Sequence, residues 1–298
     1  MRVFVTGATG FIGTAIVQDL IGKGHEVLGL TRSDTGAEAL RNAGAEVHRG
    51  DLDDIQSLIG GAANSDAVIH TAFNHDFSKF VANCENDRKV IEALGSVLSG
   101  SDRPLIITSG TGMANTVPGQ LALEDNEVMT SAMHPRAASE EAGAAAAERG
   151  CRVIVMRLPQ VHDTRKQGLV TYAIQTARAK GVSAYLGDGL NRWPAAHVLD
   201  TAEVYRLALE RGKAGAKYHA VAEEGVTVRE IAEAIGQGLN IPVVSPSPEK
   251  AQEHFGWLAA FMGYDLPASS EKTRRELGWN PGGPGLLADL RDMDYAAV

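Results

Sequence analysis

Short runs of apolar, mostly β-branched residues recur along the first half of the chain, and helical spacing of polar and apolar positions fills the gaps between them. RVFVTG is followed by a helical pattern from about Ile12 to Lys23, EVLGLTR by one near Glu38 to Asn42, and AEVHRGD continues the rhythm. Further runs stand at AVIHTA, PLIITSG and RVIVMRLP, with helices expected at about Lys79 to Leu98 and Arg136 to Arg149. Alternation of strand and helix is the pattern of a parallel sheet covered on both faces. The six runs therefore predict a doubly wound α/β fold. The stretch Ala137 to Arg149 is nearly all Ala and Glu, which suits a helix packed closely on a sheet or a neighbouring helix.

After Pro159 the regularity weakens. Turn-rich segments such as LGDGLNRWP and IPVVSPSPEK alternate with helices near Thr171 to Lys180, Thr201 to Glu210 and Val228 to Gly236. This predicts a nucleotide-binding Rossmann domain over residues 1–160 and a smaller C-terminal, substrate-binding lobe over 161–298, with segments near 197–222 returning to the main sheet. No internal repeat or flexible linker separates the two.

With 298 residues, 44% of them hydrophobic, the chain can fill a sizeable core. Its formal net charge of -9 and the lack of any basic cluster argue against nucleic acid as a partner. The two cysteines, Cys84 and Cys151, have no companions at ligand spacing, so neither a disulfide framework nor a metal site is expected. No signal-peptide pattern and no membrane-length apolar stretch occurs, which predicts a cytoplasmic protein that does not engage a membrane. A small-molecule substrate is the expected partner, and a homodimer stays open.

TGATGFIG, Thr6 to Gly13, closes the first strand and starts a helix, the context in which glycines at this spacing cradle a pyrophosphate. Gly7 permits the tight turn, Gly10 the approach of the phosphates and Gly13 close packing of helix on strand. Thr9, Phe11 and Ile12 complete the cofactor-facing backbone, and the free N–H groups and helix dipole attract the anion. At the end of the second strand, where an acidic residue commonly accepts the ribose hydroxyls, the chain reads Thr31, Arg32, Ser33. Arg32 suits a 2′-phosphate, which predicts NADP; Asp34 close by keeps NAD open.

With TGATGFIG, GDLDD (Gly50 to Asp54), HTA (His70 to Ala72), TSGTG (Thr108 to Gly112), RLPQVH (Arg157 to His162), AAHVLD ending at Asp200 and KTRRELGWNP (Lys272 to Pro281) in this order, the chain resembles the extended short-chain dehydrogenases/reductases. The likeness is to their NAD(P)-dependent epimerase/dehydratase branch, which includes 3β-hydroxysteroid-dehydrogenase-like reductases. It covers nearly the whole chain. The resemblance implies that Asp51 accepts a bond from the adenine amino group with Leu52 beside the ring. It also implies that Thr71 and Ala72 line the ribose and pyrophosphate, and that Pro159 and Val161 flank the nicotinamide.

It further implies a catalytic Tyr, a Lys four residues later that lowers its pKa, and a hydroxyl after the fifth strand. Here the chain departs from the pattern. Arg136 stands where the Lys belongs, Ala132 four residues before it, and no tyrosine occurs between residues 1 and 171. Arg136 can still hold the nicotinamide ribose, but it cannot replace a phenol. His134, Tyr172 and His162 are the candidate proton donors. Thr111 and Ser109 compete for the hydroxyl position, because a gapless alignment puts Gly110 on it.

The expected function is an NADP(H)-dependent oxidoreductase, a reductase of a small uncharged carbonyl or related compound. A binding protein that senses NADP(H) without turnover is the alternative, and a sugar-nucleotide epimerase a weaker one. Tyr172, Tyr185, Trp193 and Trp257 either line the substrate pocket or fill a core.

Overall fold

The computed structural model describes residues 1–117 and 119–297. The order of elements begins β1 (Arg2–Thr6), α1 (Phe11–Gly22), β2 (Glu26–Thr31), α2 (Asp34–Asn42), β3 (Glu46–Arg49), α3 (Ile55–Ala63), β4 (Ala67–His70), α4 (Phe80–Leu98), β5 (Pro104–Gly110), α5 (Ala138–Glu148) and β6 (Arg152–Leu158). It continues with β7 (Gln160–His162), α6 (Leu169–Lys180), β8 (Ser183–Ala184), β9 (Arg192–His197), α7 (Val198–Arg211), β10 (Lys217–His219), β11 (Glu223–Thr227) and α8 (Val228–Leu239). Last come β12 (Val243–Val244), α9 (Pro248–Phe255), α10 (Ala259–Met262), α11 (Glu271–Leu277) and α12 (Leu286–Asp292).

The expected doubly wound α/β fold is present, and each of the six apolar runs is a strand. The central sheet has seven strands in the order β10-β6-β5-β4-β1-β2-β3, all paired in parallel. One face buries β1 and β6 side chains with α1 and α7, around Ile16, Leu20, Tyr205 and Tyr218. The other packs Phe4, Ile107 and Val153 against α3, α4 and α5, through Leu58, Ile91, Leu94 and Ala146. The Ala-rich α5 lies close, as its composition suggests: a side chain at Gly95 of α4 would run 2.7 Å from the Ala146 methyl.

Three local boundaries differ from the sequence pattern. Helix α2 begins at Asp34, because the Ser33 hydroxyl caps it by accepting the Gly36 N–H at 3.0 Å. Helix α3 is additional. The helix expected from Arg136 starts as a single 3₁₀ turn, Pro135–Ala137, before α5 proper.

The strand order reverses between β1 and β4, so their C-terminal ends leave the crevice in which doubly wound sheets hold ligands. A three-stranded sheet, β11-β9-β7, stands beyond it, and a third core there joins Trp193, Ile174, Ile231, Phe255 and Leu286. Among the described residues no helix is long and apolar enough to cross a membrane, and no group of three or more His, Cys, Asp or Glu could hold a metal.

Candidate functional site

The glycine-rich turn sits at the crevice. Gly7 has a left-handed φ of 70°, and the Gly10 N–H closes the turn on the Gly7 carbonyl at 2.8 Å. A side chain at Gly7 would come within 2.8 Å of the Ala72 nitrogen. Among the described residues no side chain caps α1, so its first N–H groups are left for an anion. A cleft of about 590 Å³ opens beside the turn, lined by Thr9, Gly10, Phe11 and Thr14 and, from the loop before α6, by Arg165 and Lys166.

At the end of β2 the Arg32 side chain is 83% exposed and lies 3.6 Å from the Asp51 carboxylate. Asp34, the acid that kept NAD open, pairs with Arg49. Asp51 and Leu52 are half-buried, and the second Asp51 oxygen accepts the Asp53 N–H at 3.1 Å. Thr71 donates its hydroxyl to the Thr6 carbonyl at 2.8 Å, and the Ala72 N–H reaches the Thr6 hydroxyl at 3.3 Å. Pro159 is half-buried, whereas Val161 is in the core at 3% exposure, which leaves only its backbone to face a cofactor. Ile12 is half-buried, packed against the α1–α7 core.

The catalytic candidates divide. Ser109 and Thr111 are both buried; Thr111 donates weakly to the Leu158 carbonyl at 3.5 Å, and the Ser109 hydroxyl has no partner among the described residues. Arg136 is part of a buried network. It donates to Asp87 at 2.9 Å, to the Thr108 carbonyl at 2.9 Å and to the Ser139 hydroxyl. Asp87 in turn accepts from His70 at 2.9 Å, and the other His70 nitrogen meets the Thr6 hydroxyl at 2.6 Å. The chain of bonds runs from the glycine-turn strand to the start of α5. Burial works to raise the Asp87 carboxyl, but Arg136 and then His70 and Ser139 outweigh it and hold it down at about 2.

His134 stands beside this network and accepts the Arg136 N–H on Nδ1 at 3.3 Å, which assigns its proton to Nε2. Burial and then Arg136 lower its pKa, so the ring is neutral at pH 7. Tyr172 packs among aromatic rings, 5.1 Å from Trp257 and 6.1 Å from Phe77. His162 is fully buried and bonded to Asp289 at 2.6 Å, out of reach of a substrate. Trp193 is core at 1% exposure, Tyr185 is half-buried under the Arg229 guanidinium, and Trp257 is exposed.

Asp87 is a site residue that the sequence pattern left unmarked. Its signal was a carboxylate in register with Cys84, Val90, Ile91 and Leu94 on the buried stripe of α4.

A profile of the NAD dependent epimerase/dehydratase family matches residues 3–222. An uncharacterised protein of Schizosaccharomyces pombe is 48% identical over 99% of this chain and 100% of its own. Another, of Saccharomyces cerevisiae, is 43% identical over 98% of each. Among solved structures, a Thermus thermophilus UDP-glucose 4-epimerase in complex with NAD superposes with a TM-score of 0.73 at 25% identity, over 98% of this chain and 97% of that one.

Proposed function

The chain belongs to the NAD dependent epimerase/dehydratase family, and on that premise we propose that it is an NADP(H)-dependent oxidoreductase that reduces a small, uncharged carbonyl compound. The observation that carries this reading is the uncapped glycine turn, with Arg32 exposed at the end of β2 where an acidic residue would disfavour a 2′-phosphate. The residues fit the dinucleotide: open N–H groups for the pyrophosphate, Arg32 for the 2′-phosphate, and the Thr71–Ala72 and Pro159–Val161 backbones toward ribose and nicotinamide. The bound cofactor supplies the hydride.

The protein's part is to bind and orient. Neutral His134 offers its Nε2–H to the carbonyl oxygen as a hydrogen-bond donor, and water supplies the proton. Arg136 positions this region through Asp87 and Thr108. Epimerase chemistry is disfavoured, because its Tyr and Lys positions hold Ala132 and Arg136, and Arg136 is already committed to Asp87. The same commitment favours one second reading, an NADP(H) sensor without turnover.

Titrating the protein with NADPH and NADH, then following nicotinamide absorbance with a panel of aldehydes and ketones, separates these. NADPH preference with consumption is expected; tight binding without consumption indicates the sensor, and no dinucleotide binding defeats both. Arg32→Ala is expected to narrow the preference for NADPH about tenfold, as loss of a charge-assisted bond to phosphate does.

A further inference from the structure

One set of large aromatic side chains of this protein is buried: Trp193, Trp279, Tyr205, Tyr218, Phe4 and Phe255 are all at or below 5% exposure. A second set is not, and it is contiguous. The segment between β4 and the start of α4 carries Phe73, Phe77 and Phe80, each half-exposed. Facing it from the C-terminal lobe are Tyr172 of α6, Trp257 in the turn after α9, and Phe261 of α10. The Phe77 and Trp257 rings stack at 4.4 Å with 14° between their planes, and Trp257 is 42% exposed. Tyr172 and Phe261 meet Trp257 edge-on at 5.1 and 5.9 Å.

At its inner end this belt reaches the candidate site. Phe73 covers the Arg136 guanidinium at 4.3 Å, and Phe80 meets the His134 ring at 5.9 Å. The rings therefore run without a break from the outer lobe to the donor proposed for the carbonyl oxygen. A pair of flat faces stacked across two units, with one ring still partly in water, gains less from burial than an aliphatic contact fully enclosed. It is well shaped to exchange its self-contact for a third planar ring.

We propose that Phe77 and Trp257 form a sandwich for the planar unsaturated group of the substrate, which makes the protein selective for aromatic carbonyl compounds. The proposal rests on the reductase reading of the site at His134 and Arg136. The substrate ring enters between Phe77 and Trp257, and its carbonyl projects along Phe80 toward His134 and the nicotinamide.

The test uses the full chain with NADPH, benzaldehyde and hexanal, the last an aliphatic aldehyde of comparable size. The expected result is a kcat/KM favouring benzaldehyde, with Trp257→Leu raising the KM for benzaldehyde about three- to tenfold relative to that for hexanal. Trp257→Phe is expected to restore the ratio. A binding arm needs no turnover: ligand-observed NMR with benzyl alcohol on the NADP⁺-saturated protein should show contact that Trp257→Leu removes and Trp257→Phe retains. Carbonyl reduction with no aromatic preference, or equal losses for both aldehydes, overturns the proposal and leaves the reductase intact. Benzyl alcohol bound at Trp257 without reduction of any aldehyde supports the aromatic site and defeats the reductase. Absence of benzyl alcohol binding to the wild type overturns the proposal.

Discussion

A methyl group added at Gly10 would meet the Gly7 carbonyl oxygen at 3.2 Å, whereas one added at Gly13 would overlap the Gly7 backbone itself. The two glycines of one turn therefore fail in different ways. Gly10→Val is expected to abolish NADPH binding with little loss of stability, and Gly13→Ala to lower stability by about 1–3 kcal/mol through overpacking; NADPH titration and urea unfolding of both variants check this. Asp87 makes a second contrast. Removing its carboxylate strands the Arg136 guanidinium, 15% exposed, beside a protein carbonyl and a hydroxyl. Asp87→Ala is thus expected to cost about 3–5 kcal/mol, read from the urea midpoint, and Asp87→Asn less. The glycines were legible because their spacing follows from the shape of a pyrophosphate. Asp87 was legible only as an anomaly on an apolar stripe, since nothing along the chain says which cation reaches it across 49 residues.

Among the elements, α3 shows what local pattern cannot convey. IQSLIGGAA carries two adjacent glycines and reads as a poor helix, yet a side chain at Gly61 would collide with the Phe4 ring. The glycine lets this short helix lie against β1, and packing overrides propensity. The loop from Asp163 to Gln167 is organised the other way, by its own polar groups. The Asp163 carboxylate accepts the N–H groups of Arg165 and Lys166 at 2.7 and 2.8 Å, and Gln167, fully buried, donates to the Asp163 carbonyl at 3.0 Å. That rigid turn presents two cations to the cleft beside Gly10. Replacing Arg165 or Lys166 with Gln is expected to weaken NADPH binding about two- to fivefold each and to flatten its dependence on salt. Calorimetric titration at low and high salt decides it, with an unchanged salt slope as the contrary result.

At the scale of the whole molecule, a buried polar cluster joins the last strands to the C-terminal helices. Arg157, fully buried, forks onto Glu140 with two bonds of 2.8 Å and donates to His219 at 3.1 Å. His219 bonds the Ser269 carbonyl at 2.8 Å, and Glu124 accepts from the Thr273 backbone and hydroxyl at 2.7 and 2.8 Å. The KTRRELGWNP segment thus acts as a brace, a role its order along the chain did not reveal. Burial, and then Arg157, push the His219 pKa from 6.5 down to about 3. The unfolded chain binds this proton first, so the contribution to stability is whole above 6.5 and declines as pH falls toward about 3, by up to about 1.4 kcal/mol per unit. Asp87, held near 2, adds its own loss only below 3.8. Urea unfolding at about pH 7, 6 and 5 should show the slope, and His219→Asn should remove its share. The brace also has an order in time. During synthesis Arg157 is made 62 residues ahead of His219, and Glu124 149 residues ahead of Thr273. The first half of the chain emerges from the ribosome with its sheet one strand short and charged groups still waiting for partners, so its completion waits until His219 and Thr273 have been made.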